Sequence, residues 1–161
     1  MQEIIINDEL VLCVPDGFHV MTEEERSGLQ MLNGGEWIGL SDPDRHIKVS
    51  VGWKKINGFS ALLLSGKDLA KNSEKSVSGP MSAYGYRLEG FLETVIAGEK
   101  AAGFRYRYDA QQIAMAAELD TLKIGKSVYY FNLYSRGEHR KESAAVWQDL
   151  LGMIRKKEKK G

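Results

Sequence analysis

Polar and apolar positions alternate along much of the chain, and only short stretches carry the three-to-four-residue spacing of a helix. At the N-terminus, EIIINDELVLCVP holds two apolar runs joined at Asn7-Asp8, residues that tolerate turn conformations. The stretch predicts a bent strand or a small hairpin. The turn signal Pro15-Asp16-Gly17 follows, and then Thr22 with Glu25 three residues on, a capping box in which each side chain satisfies a backbone donor of the other. A short helix is expected from Thr22 to about Asn33-Gly34-Gly35. Glu36–Ser41 and His46–Trp53 read as two strands around the turn Asp42–Arg45. In the second strand Ile47, Val49, Val51 and Trp53 share one face, with His46, Lys48 and Ser50 on the other.

Leu62, Leu69 and Val77 form a modest helical stripe, and the spacing predicts a helix over Lys67–Ser76. From Tyr84 to Tyr134 the pattern is mostly that of strands. Tyr84–Ile96 and Phe104–Asp109 alternate on either side of the connection Gly98–Gly103. Pairing them antiparallel sets Thr94 opposite Tyr106 and Glu93 opposite Arg107, which makes the arginines of FRYRYD a cross-strand charge match. Met115–Ile124 and Val128–Ser135 flank Gly125-Lys126. The closing helix is expected over Lys141–Lys156, with Val146, Trp147, Leu150, Leu151 and Ile154 on one stripe. Consecutive strands followed by a terminal helix predict an α+β fold: a central antiparallel sheet flanked by helices.

Composition narrows the class further. The 161 residues, 43% hydrophobic and 27% charged with three prolines, are read as a single domain over 1–161, residues 156–161 forming a basic C-terminal tail. Lys and Arg number 22, as do Asp and Glu, so no global field draws the chain to nucleic acid or to an anionic membrane. Cys13, the sole cysteine, lies in the alternation LVLCVP and reads as a small buried hydrophobe. With no signal-like N-terminus and no long apolar run, the expectation is a cytoplasmic protein without membrane insertion.

The stretch DTLKIGKS ends like a phosphate-binding loop, but Asp120 stands where such a loop needs its first glycine, and a strand-like run follows Ser127 where a helix is required. A two-residue hairpin turn at Gly125-Lys126 explains it without a nucleotide. His19, His46 and His139 lack partners at metal-ligand spacing; His46 beside Asp42 and Asp44 is the nearest approach to a site. Asp42 and Asp44 are too few oxygen ligands for a calcium loop. No nucleophile motif is present. The sequence therefore names no catalytic residue, no cofactor and no metal.

Tyr129, Tyr130 and Tyr134 cannot all face one side of a strand, so aromatic surface is expected toward solvent or another chain. Together with Arg105 and Arg107 they form the candidate partner-binding surface.

VPDGFHV, GLSDPDRHIKVSVGW, GKDLAKNSEKSV, AAGFRYRYDA, KSVYYFNLYSR and AVWQDLLGMIRK, taken in this order, resemble the PsbP-like α/β/α superfamily, over about Val11 to Lys156. The resemblance implies an antiparallel sheet sandwiched between helices. It also implies a binding, adaptor or chaperone-like module more than an enzyme, and it transfers no functional residue to a position here. The functional expectation is thus a non-catalytic module that binds a protein partner or self-associates. The alternative is a small-molecule-binding protein or enzyme with its pocket between sheet and helix.

Overall fold

The computed structural model describes residues 2–27 and 35–158. Strands β1 (Glu3–Ile6) and β2 (Leu10–Cys13) form the N-terminal hairpin, with Asn7 and Asp8 at φ of 53° and 52° in its loop. Then come β3 (His19–Val20), α1 (Glu23–Ser27), β4 (Glu36–Asp42), β5 (Ile47–Lys55), α2 (Gly58–Leu63) and α3 (Gly66–Met81). A meander of β6 (Arg87–Ile96), β7 (Glu99–Ala110), β8 (Ile113–Ile124) and β9 (Ser127–Arg136) follows, then α4 (Arg140–Gly152) and β10 (Arg155–Lys156). Seven strands form one sheet in the order β3-β4-β5-β9-β8-β7-β6, and β1, β2 and β10 form a second, smaller one; every pairing is antiparallel.

The alternation assigns the two faces of the large sheet to different partners. On one face Val49, Val51 and Phe131 pack against Trp147, Leu150 and Leu151 of α4 and against Ile6, Leu10 and Leu12 of the small sheet. On the other, Phe104, Tyr106, Leu119 and Tyr130 pack against Leu69 and Val77 of α3. Helix α3 starts at a capping box formed by Ser65 and Asp68. The expected Thr22–Glu25 box is present too, Glu25 N–H donating to Thr22 Oγ1 at 3.2 Å and Thr22 N–H to Glu25 Oε1 at 3.2 Å. The expected end of that helix, Asn33-Gly34, lies outside the described residues.

Several boundaries differ from the sequence reading. The β6–β7 register is set by a two-residue turn at Ala97 and Gly98, both at positive φ (53° and 78°), and not by the connection Gly98–Gly103. Thr94 therefore pairs with Ala101 and Glu93 with Ala102, while Arg107 stands opposite Arg87. The arginines still find carboxylates: Arg105 Nε donates to Glu118 at 2.7 Å and Arg107 Nε to Glu89 at 3.2 Å. Tyr84 sits in a 3-10 turn before the strand. Helix α3 runs on to Met81, past Gly79 and Pro80, with Val77 buried against the sheet and Met81 packed on the same core. The last helix stops at Gly152, a poor helix former, and the chain turns back so that Arg155 and Lys156 pair with Val11 and Leu10. Ile154 remains in the core on this return. Lys156 and Lys157 of the expected tail are engaged, the first by Glu99 and the second by Asp8.

One polar cluster ties α4 to the sheet. Glu118 and Asp120, two residues apart on β8, both face α4, and Trp147 Nε1 donates to Glu118 Oε2 at 2.8 Å and to Asp120 Oδ2 at 3.1 Å. Opposite Asp120 on β7 stands Gly103; a Cβ there would run into the Leu119 carbonyl and lie 2.5 Å from Asp120 Oδ1. Only glycine leaves the carboxyl its place. Burial, and then the adjoining Glu118 carboxyl, push Asp120 up to about 9, so the pair keeps a proton at neutral pH.

The folded pKa lies above the ordinary 3.8, so the native state binds more protons than the unfolded chain between those values. The stability this confers is present in acid and is lost as pH rises toward 9. Urea unfolding at pH 5 and pH 8.5 is expected to show Asp120→Asn gaining on the wild type by about 2 kcal/mol or more across that interval. A difference independent of pH would show that Asp120 is ionised in the fold.

Candidate functional site

The register of the sheet lines up side chains beside the last turn of α3. Tyr106 (β7), Ala117 (β8), Tyr134 (β9), Lys48 (β5) and Ser41 (β4) stand opposite one another in sequence, all on the α3 face. The next row outward is Tyr108, Met115 and Arg136. One row inward come Phe104, Leu119, Asn132, Ser50 and Gly39. The β7–β8 half of this floor is aromatic and apolar, and the β9–β5–β4 half is polar.

Pro80 and Met81 stand at the end of α3, after which the chain leaves through the turn at Ser82–Tyr84 and Gly85, whose φ of 70° allows the sharp exit. Beyond that end the two outer rows border open space, while Phe104, Leu119, Asn132 and Ser50 of the inner row are buried. The result is a cleft of about 860 Å³, walled by Pro80, Met81 and Tyr84 on one side and by Glu25 and the β4–β5 turn on the other.

The charges around the cleft are unevenly paired. Asp42 is raised by burial, but hydrogen bonds from the Arg45 side chain and N–H outweigh this and hold it below 3.8. Glu25 is held below its ordinary 4.5 by hydrogen bonds from His19 and then from the Thr22 N–H. Both carboxylates are thus already engaged. Lys48 has no carboxylate within 4 Å among the described residues, and Arg136 only a 4.0 Å contact with Glu138.

The tyrosines stay neutral. Burial pushes Tyr134 up to about 12. Burial first, and then the neighbouring phenol of Tyr134, push Tyr108 and Tyr106 upward as well. Asn132 Nδ2 donates to the Tyr134 hydroxyl at 2.7 Å, while Asn132 Oδ1 and Ser50 Oγ, both buried, have no partner. The site offers fixed neutral donors and two cations, an arrangement for binding more than for proton transfer.

The residues singled out from sequence are scattered. Tyr129 is fully buried on the α4 side, its hydroxyl bonded to Asn7 and Glu9, and Tyr130 is buried on the α3 side. The expected aromatic surface at these two positions is therefore corrected: each side of β9 is covered, one by the small sheet and the other by the α3 core. Tyr134 alone of the three lines the cleft. Arg105 and Arg107 lie on the opposite face, each held by a glutamate. His46 sits in the β4–β5 turn at φ 56°, and Asp42 beside it goes to Arg45. Among the described residues no cluster of His, Cys, Asp or Glu is placed to hold a metal. Cys13 is half-buried, not fully enclosed.

Tyr106, Tyr108, Lys48, Met115 and Arg136 escaped the sequence reading as site residues. The available signal was the short apolar stripe of α3, Leu69 to Val77, too little to cover five strands. Exposed apolar side chains also lie where alternation gave no warning: Phe59 and Leu62 of α2, 73% and 86% exposed, and Phe91 and Val95 of the edge strand β6, 51% and 63% exposed.

No protein-family model and no curated protein matches the chain. Solved structures do. Cyanobacterial PsbP (CyanoP) from Synechocystis sp. PCC 6803 superposes with a TM-score of 0.68 at 13% identity, over 97% of this chain and 92% of that one. LpqN, involved in cell envelope biogenesis of Mycobacterium tuberculosis, gives 0.59 at 12% identity over 92% and 83%. The Saccharomyces cerevisiae Ran-binding protein Mog1p gives 0.59 at 10% identity over 95% and 93%. At these identities the likeness establishes the fold. No helix among the described residues is long and apolar enough to cross a membrane.

Proposed function

We propose that this chain, which has the PsbP-like fold, is a non-catalytic binding module that takes a small molecule into the cleft beside the end of α3. The observation that supports the reading is the cleft itself: about 860 Å³ of open space over a floor of neutral phenols, within the size range of ligand sites. Turnover is not part of the reading. Both carboxylates at the cleft are locked in hydrogen bonds, and the phenols of Tyr106, Tyr108 and Tyr134 hold their protons far above neutral pH.

Titration with N-phenyl-1-naphthylamine, a neutral aromatic fluorophore, is expected to give saturable one-site binding. Ala110→Trp, which places an indole in the cleft, is expected to weaken it at least tenfold. Absence of saturable binding, or full binding by the Trp variant, would dispose of the reading.

A second reading, self-association, has its own observation. Phe59, Leu62, Phe91 and Val95 expose apolar side chains on α2 and on an edge strand, surface of the kind that partner chains cover. Mog1p, similar in fold, is a Ran-binding protein. Sedimentation velocity is expected to show a concentration-dependent dimer that Leu62→Glu with Val95→Glu abolishes; a monomer at every concentration would remove this reading.

A further inference from the structure

We propose that the ligand class of the cleft is a planar aromatic carboxylate, its ring lying on the Tyr106–Tyr108 side and its carboxylate facing Lys48, Arg136 and Tyr134. This rests on the small-molecule reading above and adds the chemistry of the occupant.

Three observations carry it. The first is charge. Arg45, together with His19 and Thr22, already engages the carboxylates at the cleft, so Lys48 and Arg136 are the charges left without a close counter-ion. They lie on the same face, Lys48 directly opposite Tyr134 and Arg136 two residues on from it, a diagonal separation of about 7–8 Å that one carboxylate can bridge with two long side chains. Lys48, with no carboxylate within 4 Å among the described residues, and Arg136, with only the 4.0 Å contact to Glu138, favour an anionic occupant, and a guanidinium suits the two oxygens of a carboxylate.

The second is the direction of the Tyr134 proton. Its hydroxyl oxygen accepts from Asn132 Nδ2 at 2.7 Å, so its own O–H is left to donate, either to the neighbouring Ser50 hydroxyl or to an occupant of the cleft. The phenol does not ionise near neutral pH, so it stays a donor. An acceptor between Lys48 and Arg136 meets this O–H from the floor.

The third is the shape of the other half. Tyr106 and Tyr108, buried at the base of the cleft, are stacked with ring centroids 5.9 Å apart and planes at 28°, and Met115, Met81 and Pro80 complete the apolar walls. Flat rings and thioethers pack against an aromatic body. The polar and apolar halves lie side by side on adjacent strands, so a short, flat molecule charged at one end spans both.

The experiment is displacement of N-phenyl-1-naphthylamine by 1-naphthoate and by 1-naphthamide, which share a ring system and differ in charge. Naphthoate is expected to displace at least tenfold more strongly than the amide, and raised salt is expected to narrow the gap. In Lys48→Gln with Arg136→Gln the two competitors are expected to become equal within about twofold, the amide keeping its wild-type affinity and so reporting an intact cleft. Tyr134→Phe is expected to weaken naphthoate several-fold and the amide less.

Equal displacement by both compounds in the wild type, or a carboxylate preference that survives the double substitution, overturns the anionic class while leaving the cleft as a binding site. Failure of the fluorophore to bind at all overturns both.

Discussion

A single helix is too narrow for this sheet. Seven strands at about 4.8 Å spacing span roughly 29 Å, and a helix with its side chains covers about 10–12 Å. On one face the fold meets the shortfall with two covers, α4 and the β1–β2–β10 sheet, and that face is closed by a continuous apolar cluster. On the other, α3 lies over β7 and β8 and reaches Val128 and Tyr130 of β9, and among the described residues no helix of comparable length lies over the strip from the outer end of β9 to β4. The open cleft follows from this asymmetry of coverage.

What stands on the uncovered strip agrees with it. Where α3 lies, the inward positions of the sheet are Phe104, Leu119 and Val128; beyond it they are Ser41, Ser50 and Asn132, which are buried, and Lys48, which is exposed. A lysine exposed on an inward face, with buried polar side chains around it, marks a place where the apolar core ends. Tyr106, Tyr108 and Tyr134 sit at the boundary, with rings that pack like a core and hydroxyls that remain donors. The opposite face shows the contrast: its buried polar groups, Glu118 and Asp120, are answered by Trp147 of α4, so polarity there serves attachment.

Strand identity, antiparallel order and the Trp147 helix were legible because each depends on local periodicity and turn chemistry, as at Thr22–Glu25 and Gly125-Lys126. The β6–β7 register was not, because Gly98–Gly103 reads as a loop by composition, while Ala97 takes positive φ and lets the chain turn within two residues. Gly103 then proves to be a strand residue whose missing Cβ makes room for Asp120, a long-range need that local pattern does not carry. The return of Arg155 and Lys156 onto β2 is long-range in the same sense. The site was the least legible part. The sequence does place Tyr106 and Tyr108 on one face, but whether a face is roofed depends on how far α3 reaches, and α3 runs to Met81, beyond Ser76, where the spacing predicts its end. Tyr129 and Tyr130 passed for surface because the small sheet that buries Tyr129 is built from both ends of the chain.

The central claim, that the occupant sits on the unroofed strip of the sheet, is tested most directly by following backbone amide resonances while the protein is titrated with 1-naphthoate. The account predicts shifts confined to the strand segments around Ser41, Lys48, Tyr106, Met115 and Tyr134 and to the last turn of α3, with α4 and the β1–β2 hairpin unmoved. Shifts centred on Phe59, Leu62, Phe91 and Val95 instead would contradict it.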